Sequence, residues 1–474
     1  MNLRKILINT VWYGIIPKLP TLLSFLALPI ITPFLMPSDY GMWGVISAYC
    51  SISVGLCTYG LHIHLTNLYY EKKGNYKFFW NQLFSMMLIM GLLTSILLAI
   101  FLYLILPIND LIIKFFVIIL ACLPTLLSSF NVITNSFCIL NDLPRLLVIR
   151  NVTSGVFSII LLILSVKYWG LGFIGWVISY GFTALLFFIL IFKRLIFVEK
   201  IYPSRISYSR AEIYSIILIS MPLIPHNLGH ILLSSSDRIV MEYYGISSHN
   251  IGLYFSGYQL SEFLYIVILG LCTALTPIIQ EKYRNGDFIY LNKIYFLSYI
   301  FCFLIVFLGA LWMKEVFNLM IRNPLFSEGY KIAVVNTFSY FSAILYYFFS
   351  TKIFIEKDTK HILWLIFVPA IINVLLNIIF IPYFGYFFAV YSTIISFFFI
   401  FLLPFFNSYF KFSYLKMFKN LKSLVLIIFI YLLFCFFTYF MVDQLLIFKI
   451  LYSFFLIFLS LYVVIFKLNL IRFD

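Results

Sequence analysis

Residues Thr359–Phe399 read TKHILWLIFVPAIINVLLNIIFIPYFGYFFAVYSTIISFFF. A short basic loop leads into an apolar run, a turn and a second apolar run, so the stretch predicts two helices joined tightly. Pro369, Asn373 and Asn377 are spaced four apart and share one face of the first helix. An amide in hydrocarbon needs a partner, so that face is expected to meet protein or a water-filled cavity rather than lipid. Ile381–Pro382 and Gly385 are expected to stop the first helix and turn the chain.

The same reading extends along the chain. Hydrophobic residues make up 64% of it and charged residues only 10%. A water-soluble core cannot hide that much apolar surface, whereas a bilayer solvates it. A β-barrel would show short alternating segments, and none dominate. Fourteen apolar spans are expected, near 12–34, 41–65, 81–106, 112–139, 148–166, 170–192, 214–236, 251–277, 292–313, 332–354, 362–383, 386–407, 423–442 and 447–466. The first is long enough to be an uncleaved helix rather than a signal segment.

Charge orients the spans. With the N-terminus inside and strict alternation, 24 lysines and arginines fall on the inner side and seven on the outer. The positive-inside rule accounts for the net charge of +15 without any nucleic acid partner. It places both termini in the cytoplasm. All seven cysteines sit in apolar spans without a Cys-x-x-Cys spacing, so neither a disulfide framework nor a metal site is expected. There is no Gly-x-x-x-x-Gly-Lys-Ser/Thr loop, so the chain does not itself use ATP.

Three echoes suggest an internal repeat. Pro17-Lys18-Leu19-Pro20 is matched by Pro222-Leu223-Ile224-Pro225, Tyr40-Gly41 by Tyr244-Gly245, and Tyr168-Trp169-Gly170 by Tyr383-Phe384-Gly385. The nearly constant offset predicts two parallel six-helix halves. They occupy residues 1–195 and 214–407, joined by a basic cytoplasmic linker at 196–213 and followed by two additional helices within 408–474. The linker either lets the halves rock or serves mainly to set topology by its charge.

Asn373, Leu376-Asn377, Ile381-Pro382, Gly385 and Thr393 resemble a signature of Wzx-type polysaccharide and O-antigen flippases, in the MOP exporter superfamily. Where that family has Gly-Ala after the turn, this chain has Phe387-Phe388-Ala389. Leu35-Met36-Pro37-Ser38-Asp39-Tyr40-Gly41 resembles the family's short turn before its second helix. Ser236-Asp237-Arg238 followed by Ile251-Gly252-Leu253-Tyr254 is similar to its Asp-Arg…Gly-x-Tyr pattern. The resemblance implies an all-α polytopic membrane protein of about 14 transmembrane helices, in two six-helix bundles plus two C-terminal helices. It implies a flippase of the bacterial inner membrane that moves a polyprenyl-pyrophosphate-linked oligosaccharide. Such a repeat unit would serve O-antigen, lipopolysaccharide or capsule. The expected partners are that lipid, the bilayer, and polysaccharide polymerase and chain-length machinery. No cofactor is expected beyond a proton or sodium gradient.

Ionisable groups inside spans are costly and mark function by default. Lys18, bracketed by prolines, is a candidate for holding carrier phosphates; the alternative is a lysine snorkelling beside Trp12 and Tyr13. Glu262, near the middle of the eighth span, is a candidate for proton coupling or else one half of a structural pair. His226 and His230, four apart beside Asn227, line a polar cavity or simply pack. Asp237 and Arg238 are a helix-end ion pair or, more sharply, a coupling group and a sugar contact. Lys352 is a phosphate ligand at the inner mouth or a topology-setting charge. Asn373 and Asn377 are candidate substrate contacts. Asn131 and Asn135, also four apart, are expected to hydrogen-bond between helices.

Two other classes compete. A multidrug or peptidoglycan-precursor exporter would share the fold, and a cavity for small cations should be poor in Lys and Arg. An integral-membrane polysaccharide polymerase or glycosyltransferase needs room outside the bilayer and paired carboxylates. Here the longest outer loop is about Lys314–Lys331 and offers no such pair. The expected chemistry is transport, not catalysis.

Overall fold

The computed structural model describes residues 19–72, 74–221, 223–356, 358, 361–407, 409 and 421–470. Among them the chain is entirely helical. Ten helices are long and apolar enough to cross a membrane, and three shorter apolar helices accompany them. The seventh expected span, 214–236, is not among these. It is broken between a helix at Arg210–Ser220 and one at Leu223–Tyr243. The second of these carries His226, Asn227, His230, three serines, Asp237 and Arg238, which is too polar for a lipid-facing rod.

Contacts divide the chain into Met1–Gly252 and Leu253–Asp474. The first unit holds α1 (Leu19–Ile31), α2 (Pro37–Cys57), α3 (His62–Glu71), α4 (Tyr76–Ile105), α5 (Leu111–Leu126), α6 (Ser128–Leu140), α7 (Pro144–Ile163), α8 (Phe173–Lys193), α9 (Arg210–Ser220) and α10 (Leu223–Tyr243). The boundary falls inside α11 (Ser248–Arg284). The second unit continues with α12 (Phe288–Leu311), α13 (Met313–Met320), α14 (Gly329–Ser339), α15 (Ala343–Glu356), α16 (Ile362–Phe384), α17 (Phe388–Phe406), α18 (Leu421–Met441) and α19 (Leu446–Leu470). The division by contacts lies later than a division by repeat, because α10 packs along α2.

On α4 the exposed side chains include Ile89, Leu92, Leu93, Ile96, Leu97 and Ile100, a stripe at helical spacing. An outward apolar stripe of this kind is stable in lipid and not in water. The polar residues of the same helix, Asn81 and Gln82, are buried instead.

Those two residues hold the linker. Asn81 accepts the Tyr202 N–H at 3.1 Å and Gln82 the Ser207 N–H at 2.9 Å. Ser85 donates to the Ser204 carbonyl at 2.6 Å, and Lys77 to the Glu199 carbonyl at 2.8 Å. The segment is therefore strapped along α4 rather than swinging loose. Removing an acceptor strands a backbone N–H at a cost of about 1–3 kcal/mol. The double variant Asn81→Ala/Gln82→Ala is expected to raise amide hydrogen exchange at 200–208 by one to two orders of magnitude. Unchanged exchange there would show that these side chains do not hold the segment.

In the second unit, α16 runs through Pro382 to Phe384. The proline does not end the helix, contrary to expectation. Gly385, at φ +74°, ends it, since a left-handed residue there costs glycine little. Of the two last helices, α18 packs through aromatic rings: Phe307 meets Phe338, Tyr431 and Phe434, and Phe341 stacks on Phe401 and Tyr431. Polar contacts fix their ends. Trp312 donates to Ser453 at 3.1 Å, the buried Lys449 pairs with Glu315, and Asp443 takes Lys314 and the Tyr330 hydroxyl.

Asp443 lies in the turn between α18 and α19. Burial pushes its carboxyl up, but the Lys314 and Tyr330 hydrogen bonds outweigh that and hold it below the usual aspartate range. A depressed carboxyl stabilises the fold above its unfolded value, about 3.9, and the contribution fades as pH falls through the lower folded value. Hydrogen exchange at 442–446 is therefore expected to rise in acid and to rise already at neutral pH in Asp443→Asn. A pH-independent exchange rate in the unaltered protein would overturn this.

Candidate functional site

The first unit holds a partly open cavity of about 360 Å³ among α2, α5, α6, α7 and α8. Its wall mixes aromatic residues, Phe130, Tyr180, Phe187 and Phe188, with polar ones, Thr58, Ser128, Asn131, Asn135, Arg150, Ser158 and Thr183. Helices α7 and α8 are clipped together beside it: the hydroxyls of Ser158 and Ser179 lie 2.9 Å apart, and Ser179 also donates to the Ser158 carbonyl at 2.8 Å.

Arg150 dominates this cavity. It is the seventh residue of α7, about 10 Å along the helix, and only 4% exposed. Its Nη2 donates to Asn135 Oδ1 at 2.7 Å and to Asn151 Oδ1 at 3.2 Å, and Nε donates to the same Asn151 oxygen at 3.3 Å. The guanidinium sits 5.0 Å from the Phe187 ring centre. Among the described residues it forms no ion pair, and Nη1 has no hydrogen-bond partner. Asn131 Oδ1 is buried and likewise has none there. A buried cation solvated only by neutral amides and a ring is electrostatically incomplete.

Sequence reading took Arg150 for an inner-side topology charge and missed this role. The signal was the apolar turn Leu146-Leu147-Val148-Ile149, which places Arg150 well inside the helix that begins at Pro144. Asn135 does bond between helices, as expected, through its oxygen to Arg150.

A second polar seam joins α2 and α10. Arg238 donates through Nη1 to the Gly44 carbonyl at 3.1 Å and to Ser47 at 3.2 Å, and through Nη2 to the Ser234 carbonyl at 2.7 Å and to Ser235 at 3.1 Å. The Asp237 carboxylate lies 3.8 Å from Nε. Both residues are buried, at 1% and 5%, so this is an interior pair rather than a surface anchor.

Near this seam the turn motif and the Gly252 motif meet. A Cβ on Gly41 would lie 1.9 Å from the Ser248 carbonyl oxygen, and one on Gly252 would lie 1.7 Å from that of Pro37. Only hydrogen fits at either position. Asp39 accepts the Met36 N–H at 3.0 Å and the Phe173 N–H at 3.2 Å, tying the start of α2 to the start of α8. Tyr40 packs edge-on against Trp176.

The other candidates occupy separate places. Asn373 and Asn377 are buried and face α17. Asn373 donates to Ser392 at 3.2 Å and Thr393 at 3.4 Å, Asn377 donates to Asn373 at 3.2 Å, and Ser392 donates to Asn377. Lys352 is buried, donates to the Tyr409 carbonyl at 2.8 Å and lies 4.1 Å from that ring's centre. Glu262 is exposed on α11, within electrostatic range of Tyr265 and Tyr340. His230 is half-buried on α10. His226 belongs to the same helix, with its side chain outside the described set, and Lys18 lies outside the described residues. Among the described residues no group of three or more His, Cys, Asp or Glu could hold a metal ion.

The fold is similar to that of solved membrane transporters. "Lipid II flippase MurJ, inward closed conformation" matches with a TM-score of 0.71 and 16% identity, over 97% of this chain and 100% of that one. An inward-facing multidrug resistance MATE family transporter of the MOP superfamily matches at 0.58 and 14%, over 86% and 99%. A mutant of the Vibrio cholerae MATE transporter VcmN matches at 0.55 and 15%, over 86% and 98%. No curated protein sequence matches the chain. An all-helical, lipid-facing architecture with this likeness defines a multi-pass membrane protein of the MurJ/MATE-like transporter fold. The family described as "Polysaccharide biosynthesis protein" matches residues 6–283, more than half of the sequence, and the chain belongs to it.

Proposed function

We propose that this protein is a flippase. It moves an oligosaccharide linked to a polyprenyl pyrophosphate across the bacterial inner membrane by alternating access, with both termini in the cytoplasm. The observation that carries the reading is Arg150, a buried cation without an acid, in a polar and aromatic cavity inside a membrane bundle. A sugar cannot cross hydrocarbon without substitute hydrogen bonds. Asn, Ser and Thr groups supply them, aromatic rings stack on sugar faces, and a guanidinium accepts an anion. Membership in a polysaccharide biosynthesis family supports a glycan cargo over a drug, and the fold is that of a protein named a lipid II flippase.

The test deletes the gene and assays lipid-linked glycan by leaflet. Accumulation in the cytoplasmic leaflet is expected, with no change in drug susceptibility. Raised drug sensitivity without accumulation would favour the multidrug exporter. Arg238, Lys352, Asn373 and Asn377, with Lys18, are proposed to act on cargo directly or by shaping its path. Coupling to a proton or sodium gradient is proposed through Glu262, with Asp237, His226 and His230 as further candidates. If Glu262→Gln leaves gradient-dependent transport intact, Glu262 is not the coupling group.

A further inference from the structure

We infer that the cavity around Arg150 binds the carboxylate of an acidic sugar, so that the cargo glycan contains a uronic-acid-type residue. The inference rests on the flippase reading and names the part of the cargo this cavity takes. At about 360 Å³ the cavity is at the small end of the usual range for small-molecule sites, about 300–1,000 Å³. It has room for one sugar ring rather than a repeat unit.

Charge selects the ring. Arg150 is the only cation in the wall among the described residues, and no carboxylate lines it. One sugar carboxylate neutralises it. A pyrophosphate carries more than one negative charge and would leave the excess buried and unpaired. The free Nη1 supplies the donor that a carboxylate needs, while Nε and Nη2 are already held by Asn135 and Asn151. Those amides fix the guanidinium in place before the ligand arrives, which lowers the ordering cost of binding. Asn131 Oδ1, buried and without a partner in the described structure, accepts from a ring hydroxyl. Thr183 and Ser158 provide further hydroxyl contacts, and Phe187 and Phe188 provide the flat apolar face against which a pyranose lies.

The test uses the full chain, purified in detergent, and radiolabelled D-glucuronate with scintillation-proximity detection. Saturable binding is expected, competed by unlabelled glucuronate. D-glucose and inorganic pyrophosphate at matched ionic strength should compete at least about tenfold less well. Arg150→Met is expected to weaken binding about tenfold or more, the loss of one charge-assisted contact. Asn131→Asp keeps the arginine but places a protein carboxylate in the same cavity, and should abolish binding even if Arg150→Met fails to fold. Preference for pyrophosphate, equal competition by glucose, full binding in either variant, or no binding at all would each overturn the inference. The flippase reading itself is tested separately, by the leaflet assay.

Discussion

Replacing Gly252 with valine is expected to abolish transport and to part the start of α11 from the start of α2. The Pro37 carbonyl oxygen stands 1.7 Å from where the new Cβ would go, and backbone cannot rotate away as a side chain can. Overpacking of this kind ordinarily costs about 1–3 kcal/mol when neighbours can shift; against two helix backbones the cost should reach the upper end or beyond. Met42 and Ser248 report the separation, because their side chains approach to 3.5 Å. A Met42→Cys/Ser248→Cys pair should form a disulfide on mild oxidation in an otherwise native chain, and fail to form it when Gly252→Val is added. Ready cross-linking in the valine variant would show that the helices do not meet as described. Gly41→Val should behave alike, since its Cβ would meet the Ser248 oxygen.

The second large effect is at Arg238. Arg238→Ala is expected to destabilise the protein by about 3–5 kcal/mol, because it strips the guanidinium from a buried carboxylate and from carbonyls that water does not reach. The thermal midpoint in detergent and the yield of monodisperse protein measure this. Adding Asp237→Asn should recover part of the loss, since the stranded charge goes; the Gly44 and Ser234 carbonyls still lose their donor. A single variant as stable as the parent would remove the pair from the list of structural supports. Arg150→Met should be milder, because no acid is left behind in its cavity. Of the two buried arginines, only Arg238 has a carboxylate beside it.

Much of this was legible in the residues. The i, i+4 spacing of Asn373 and Asn377 predicted a face that avoids lipid, and the amides do turn to Ser392 and Thr393. The two short glycine motifs were visible too, but not that they touch: nothing local says which segments pair across two hundred residues. Arg150 stayed hidden because it follows Arg145 among the inner-side charges, and only the helix start at Pro144 carries it inside. The linker is a different case. Its basic residues speak to topology, but nothing in them says that its backbone amides bond to Asn81 and Gln82 on a helix more than a hundred residues earlier. The seventh apolar span falls on two helices because hydropathy averages over faces, and α10 is polar where it meets α2.

Helix α11 has 37 residues, which give it an axial rise of about 55 Å. The hydrocarbon slab is about 30 Å thick, and even a lean of about 40° leaves more rod than slab. The surplus must stand among headgroups and in water, and its ends are made for that: Ser248-His249-Asn250 at one, Glu281-Lys282-Tyr283-Arg284 at the other. A span with such overhang has no single matched depth. Membranes of different thickness merely cover more or less of its polar ends.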